Sequence, residues 1–312
     1  MVKRLSSKKT SISQAAFKVR YLRRSRELWH KYLEGKPWVG QLYARFLGLR
    51  PGMTIVDVGC GTGDFTRYLA RLNPGKGRIM GVDARAASIK AAEAETRKAG
   101  LSKRIVFKVG NVNKLPLDDN YADLTCCRTL LMHLPDPLVA VKEMVRVVRP
   151  GGSVVAVEPG GMRTFHDPTD HKFTELALAV EKAYRAGIRK LERKDFAIGE
   201  KLPGIFQEAG LVGVRAEVQA DTWTNSDPRR KLRDVRDEIK FEWQMFKDNE
   251  KTERRYLLAG GLSPERARSF VRQQERRVKL YLSSDDKLRN DTSTYGASIF
   301  IAIGNKPVIG SA

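Results

Sequence analysis

Cysteine is scarce in this chain. Three thiols in 312 residues, Cys60, Cys126 and Cys127, rule out a disulfide framework. Neither they nor the four histidines fall at metal-holding spacings, so no metal is expected. Their neighbours suggest buried thiols acting as small apolar side chains. Long apolar runs are missing too. None approaches the length of about 20 residues that a membrane-spanning helix needs. The basic N-terminus has no apolar segment behind it, so no secretory signal is expected, and the cytoplasm is the expected compartment. Acids are the third deficit: 36 aspartates and glutamates stand against 58 lysines and arginines, a formal net charge of +22. Such an imbalance bears on partners, not on fold. It is steep in residues 1–36, where Glu27 and Glu34 alone oppose a run of cations. Nucleic acid, an anionic membrane surface, an acidic substrate or plain solvation all fit it.

What the chain does have is a glycine-rich turn between an apolar strand and a helix, Val56-Asp57-Val58-Gly59-Cys60-Gly61-Thr62-Gly63-Asp64-Phe65. Glycines at alternate positions let the backbone approach a ligand with no Cβ in the way. The helix that follows turns its free N–H groups into the same space. A dinucleotide turn spaces its glycines G-x-G-x-x-G. Here the third glycine arrives one residue early, and an acid, Asp57, precedes the first. A carboxylate suits a ligand that carries an amino group better than one that carries phosphates.

The pattern D-x-G-x-G-x-G resembles the first motif of the class I S-adenosylmethionine-dependent methyltransferases. The resemblance implies that Gly59, Gly61 and Gly63 pack against the methionine part of S-adenosylmethionine and that Asp57 helps hold its amino group. Further segments follow in the family's order. Arg78 to Asp83 is a short apolar strand ending in an acid, twenty residues after Gly63. Asp83, with Ala84 beside it, is placed to accept both ribose hydroxyls. After a third strand, Ile105 to Gly110, the segment Gly110-Asn111-Val112-Asn113-Lys114-Leu115-Pro116-Leu117 resembles G-D-A-x-x-L-P-F. That implies adenine contacts from the Asn111 side chain and the Val112 backbone. The family has an acid where this chain has Asn111, but an amide carbonyl accepts the same bond. The fourth strand runs into Arg128-Thr129 and then His133-Leu134-Pro135-Asp136-Pro137. Arg149-Pro150-Gly151-Gly152 leads to a fifth strand ending at Glu158. Arg128 and Thr129 are expected to line the cofactor. The resemblance covers about Arg50 to Glu158.

The expected fold is α/β: a Rossmann-like seven-stranded methyltransferase sheet with helices on both faces. N-terminal helices and two helical insertions are added, one after strand 5 and one between strands 6 and 7. The expected divisions are a basic arm and covering helices (1–48), the cofactor core (49–160) and a helical lid (161–198). A core helix with strand 6 (199–220), a charged helical insertion (221–294) and a last strand with tail (295–312) follow. In this family strand 7 is antiparallel beside strand 6, so both insertions emerge on the ligand edge and are expected to wall the acceptor pocket. Tyr21, in the covering helices, is either a cofactor contact or an ordinary core aromatic.

Methyl transfer from a sulfonium is an in-line displacement of an already activated group, so alignment and exclusion of water come first. A base is needed only where the nucleophile must lose a proton. His133 and Glu158 are the catalytic candidates. His133 otherwise packs under the H-L-P-D-P turn, and Glu158 otherwise serves as a cap or ion-pair partner. His166, Asp167, Asp170 and His171 are candidate acceptor contacts or surface residues. The function expected is methyl transfer to the O, N or C atom of an enclosed small molecule. The alternative is an RNA or protein methyltransferase using the basic N-terminus, although the fourth-strand exit lacks the [N/D]-P-P-[Y/F] sequence that holds a base amino group. Nothing in the sequence sets the oligomeric state.

Overall fold

The computed structural model describes residues 37–308 except 74 and 76. Tyr21 and the expected helix around it lie outside the described residues. Seven strands form one sheet in the order β3-β2-β1-β4-β5-β7-β6. Their ranges are β1 Ile55–Val58, β2 Ile79–Asp83, β3 Ile105–Val109, β4 Ala122–Arg128, β5 Val148–His166, β6 Val212–Thr224 and β7 Thr294–Asn305. The first five pair in parallel, and β7 runs antiparallel between β5 and β6.

Alternation along the strands explains the layers. Val56, Val58, Cys127, Val154 and Ala156 face one way and pack under helices α4 (Pro137–Val147) and α6 (Leu202–Glu208). Ile55, Leu124, Cys126, Val155 and Ile301 face the other way, under α1 (Pro37–Phe46) and α2 (Asp64–Leu72). A parallel sheet covered on both faces needs apolar residues at every position, and all four residues of β1 are buried. Local signals set the helix ends. Helix α3 (Ala86–Lys98) stops before Gly100, which takes φ +69°. Pro137 opens α4 behind the Asp136 cap, whose carboxylate accepts from the Leu138 N–H.

The strand order reverses at β1. From there β2 and β3 lie on one side, and β4 lies on the other. Such a reversal opens a crevice at the carboxyl ends of the two central strands. The pairing register brings the ends of β1, β2, β3 and β4 to one edge, so Gly59, Ala84, Gly110 and Thr129 follow side by side.

Three strands run far beyond that edge. The sequence places the end of the fifth strand at Glu158, but pairing with β7 continues to His166, and β6 continues to Thr224. A register shift between Pro159 and Arg163 absorbs the irregularity. Gly160 is part of it: a Cβ there would meet the Phe300 ring at 2.5 Å. Gly160 and Gly161 are therefore part of β5, at its bulge, and not a loop. His166 therefore ends a strand and does not belong to the first helical insertion.

Over the extension lie α5 (His171–Glu192), α7 (Leu232–Ala259), α8 (Pro264–Ser283) and the short α9 (Asp285–Arg289). Helices α5 and α7 touch backbone to backbone. A Cβ on Gly187 would stand 1.8 Å from the Tyr256 carbonyl oxygen, and one on Gly260 would stand 1.8 Å from that of Ala183. Leu176, Val180, Leu257, Leu262 and Ala267 form the apolar core between these helices. Arg277 of α8 ties them to the sheet. It pairs with Asp167, lies 4.6 Å over the Phe173 ring, and donates to Tyr281 Oη at 2.6 Å and Ser293 Oγ at 2.9 Å.

Candidate cofactor and acceptor site

The site begins with the three glycines. Gly59, Gly61 and Gly63 have φ of +72°, +54° and +77°, the left-handed region that side chains other than glycine's disfavour. Their surroundings differ. A Cβ on Gly59 would meet Leu130 at 2.6 Å, and one on Gly63 would meet the Phe107 ring at 2.8 Å. One on Gly61 would meet no protein atom within 4 Å. The turn is thus packed on its two flanks and open at its crest, as a cradle for a ligand should be.

Asp83 anchors the crest. Its Oδ2 accepts from the Gly61 N–H at 2.9 Å, and its Oδ1 accepts from the Arg85 N–H at 2.9 Å. Each carboxylate oxygen keeps further acceptor capacity for a diol. Beneath the turn lies Asp57, 1% exposed. Thr66 of α2 donates to its Oδ2 at 2.6 Å. Burial raises the Asp57 carboxyl to about 7, against the opposing pull of Thr66 and Arg128. Arg67 braces the turn by donating to the Thr62 carbonyl at 2.9 Å and pairing with Asp64 at 2.6 Å. Thr66 and Arg67 were missed from the sequence. The available signal was two polar residues on the inward side of the first helical turn.

The other edge residues take these positions. Ala84 is exposed just after β2, and Val112 is half-buried against the core. Asn111 is exposed, and its Oδ1 accepts from the Asn113 N–H at 2.9 Å, which leaves one lone pair. Arg128 is the last residue of β4. Its guanidinium lies 5.3 Å over the Phe65 ring, on the same sheet face as Asp57. Thr129 follows with φ +50°, a strained backbone at the crevice, and is held by its N–H to the Val157 carbonyl at 2.9 Å.

The two catalytic candidates part company. Glu158 is fully buried. Its Oε1 accepts from the N–H groups of Leu130 and Leu131 at 2.8 Å each, and Oε2 accepts from Met132 at 3.4 Å. The carboxylate thus organises the short 3-10 turn Leu131–His133 and is spent on its backbone N–H groups. Burial raises it to about 7 even so. His133 is exposed, edge-on to Phe196 at 5.7 Å. The Asp195 N–H, next to Phe196, reaches the Met132 carbonyl at 2.9 Å, which joins the end of the first insertion to this turn. Of the four insertion candidates, Asp167 is spent on Arg277 and Thr169, and Asp170 caps α5 by accepting from the Phe173 N–H. His166 and His171 lie with ring centroids 6.1 Å apart.

One further carboxyl was not singled out. Glu242 of α7 keeps accessible surface although other side chains crowd it. Desolvation raises it to about 7, and Glu238 adds to the shift. Its charge is felt by Tyr295 on β7, so it faces the extended sheet. The three cysteines are buried and unpaired, and burial pushes each thiol upward. A cleft of about 450 Å³ bordered by Leu49, Arg50, Asp123 and Gly152 lies at the opposite end of the sheet. Parallel strands begin there, so it lies away from the crevice. No helix among the described residues is long and apolar enough to cross a membrane.

A reversed strand order, an open glycine crest and an acid at the end of β2 define a nucleoside-cofactor-binding α/β protein. Residues 56–156 match the family described as "Methyltransferase domain". The demethylmenaquinone methyltransferase of Bacillus subtilis (strain 168) is 32% identical over 178 residues, 55% of this chain and 76% of that protein. The enzyme of the same name from Staphylococcus aureus (strain MRSA252) is 31% identical over 182 residues, 54% and 72% of the two chains. A solved putative methyltransferase from Bacillus halodurans C-125 shares the fold, with a TM-score of 0.50 and 15% identity over 86% of this chain and 99% of its own. The chain belongs to the class I S-adenosylmethionine-dependent methyltransferases, in the branch that contains the demethylmenaquinone methyltransferases. It is a methyltransferase enzyme, and its cofactor is S-adenosylmethionine. The residues present suit that cofactor: the crest at Gly61 is open, and the Asp83 carboxylate oxygens keep acceptor capacity that a ribose diol can use.

Proposed function

We propose that this enzyme methylates a small, largely apolar acceptor of the quinol or phenol class, held between the glycine crevice and the helices above it. The carrying observation is the β5-β7-β6 sheet that runs on past the crevice edge, with α5, α7 and α8 packed over the extension. The name of the Bacillus subtilis and Staphylococcus aureus relatives supports the acceptor class.

S-adenosylmethionine supplies a methyl group already activated on a sulfonium. The chain's own part is placement. In this reading Asp83 holds the ribose, Asn111 and the Val112 backbone hold the adenine edge, and the 59–63 turn carries the methionine part. Asp57 sets the charge beneath that turn, Arg128 supports it from the same face, and Thr129 narrows the crevice. Alignment of this kind is worth several kcal/mol of barrier, roughly 7–11 in well-oriented systems. His133, exposed beside the crevice, takes up an acceptor proton where the acceptor must lose one. Glu158 is a positioning residue that shapes the turn bearing His133. The enzyme works in the cytoplasm, where its three buried thiols stay reduced.

The test is methyl transfer from labelled cofactor by purified full-length protein. The panel is short-chain demethylmenaquinol, a polyprenylphenol and total RNA, read by product mass. Gain of one methyl on a quinol or phenol supports the proposal. Site-specific labelling of RNA with no turnover of the small acceptors overturns it.

A further inference from the structure

The insertion between β6 and β7 has two unlike sides. Its inner side packs Leu257 and Ala267 against α5. The outer side of the α7–α8 hairpin carries Lys251, Arg254 and Arg255 on one helix, and Arg268, Arg272 and Arg276 on the other. All six are exposed. Arg254 and Arg255 follow Lys251 by three and four residues, and Arg268, Arg272 and Arg276 recur every four, so each set forms one stripe. Among the described residues none of the six enters an ion pair. Two neighbouring acids are used elsewhere, Glu250 on Lys247 and Glu275 on Lys279. Like charges set side by side on a helix repel, so this arrangement calls for an anionic partner.

The apolar content of the same surface says which partner. Between the helices runs a groove of about 180 Å³. Phe246 and Val271 line it above the buried Leu257 and Ala267, with Arg254, Arg268 and Arg272 along it and Glu250 at one side. Leu258 and Leu280 continue the two stripes at 38% and 48% exposure. Arginines beside exposed leucines are the composition of a helix that lies in a lipid headgroup layer. A nucleic-acid surface gains nothing from the leucines.

We propose that the α7–α8 hairpin docks on an anionic phospholipid bilayer, with headgroup phosphates between Arg254, Arg268 and Arg272 and with Leu258 and Leu280 entering the interface. The hairpin springs from the carboxyl end of β6. That end is in register with the end of β5, so it lies on the same sheet edge as the cofactor crevice. Docking there presents the acceptor side of the enzyme to the membrane. The proposal stands on the surface itself and not on the acceptor class.

The test is flotation of the full-length enzyme with phosphatidylcholine vesicles made with and without phosphatidylglycerol. Binding to the anionic vesicles alone is expected. The variant Arg254→Gln/Arg268→Gln/Arg272→Gln should partition on the order of a hundredfold more weakly, at about fivefold per lost cation. Leu258→Gln/Leu280→Gln should weaken binding several-fold and leave its salt dependence in place. Both variants should keep wild-type uptake of S-adenosylhomocysteine by calorimetry, which certifies the fold. Equal partition of the arginine variant and wild type overturns the proposal and moves any membrane affinity elsewhere on the chain. So does absence of vesicle binding together with RNA binding that the arginine variant loses.

Discussion

Alanine at Gly61 separates cofactor binding from folding. Gly61 has φ +54°, and a Cβ there meets no protein atom within 4 Å. The folded protein therefore bears only the left-handed backbone cost, about 1–2 kcal/mol for alanine. In a chain of this size that lowers Tm by roughly 2–3 °C. The methyl points into the space where the cofactor must pack. One extra methyl in a fitted contact costs about 1–3 kcal/mol, so affinity for S-adenosylhomocysteine should fall roughly 5–150-fold. Gly63→Ala is the control. It carries the same backbone cost at φ +77°, and its Cβ also strikes the Phe107 ring at 2.8 Å. It should lose more stability than Gly61→Ala, and its loss of affinity should follow from that. Scanning calorimetry and isothermal titration on both variants make the comparison. If Gly61→Ala binds S-adenosylhomocysteine as tightly as wild type, the crest of the turn is not the cofactor cradle.

Three further outcomes are expected. Asp57 and Glu158 are each raised to about 7 by burial. Their folded forms hold protons that the unfolded chain releases near pH 4, so their contribution to stability is full below that and fades as pH rises to about 7. Denaturant unfolding at pH 5 and 7.5 should show that decline, and Asp57→Asn should flatten it; an unchanged slope refutes the assignment. Asp167, lowered to about 2, acts oppositely and weakens the fold only below about pH 4. Arg277→Met should cost about 3–5 kcal/mol by leaving the nearly buried Asp167 carboxylate without its partner; a loss below 1 kcal/mol would show the network to be ornamental. His133→Ala should leave the fold and cofactor affinity unchanged and lower kcat by roughly 100-fold or more if the histidine takes the proton. A wild-type kcat in His133→Ala removes His133 from the chemistry.

Much of the cofactor side was legible in the sequence because its determinants are local. Three glycines at alternate positions set a left-handed turn whatever surrounds them, and an acid at the end of β2 follows from strand length alone. The Asp136-Pro137 cap and the Gly100 stop are equally short-range: the one opens α4 and the other ends α3. The acceptor side was less legible because its determinants are distant in the chain. Glu158 looked free to act at a strand tip. Only the return of Leu130, Leu131 and Met132 against it, 26 to 28 residues away in sequence, spends its carboxylate on backbone N–H groups. Arg277 was one of many arginines until α8 folded back over Phe173 and met Asp167, 110 residues upstream.

Strand length shows the same division. β1 is apolar except for Asp57 and is paired on both sides, so its extent is written in its own composition. The reach of β5 to His166 is not, because it depends on β7 and β6 supplying hydrogen-bond partners beyond the core. Sequence alone therefore decided which cofactor the chain binds, through backbone geometry confined to a few consecutive residues. Tertiary structure alone decided what stands above that cofactor and which charges face outward, because those depend on pairing between segments that are far apart along the chain.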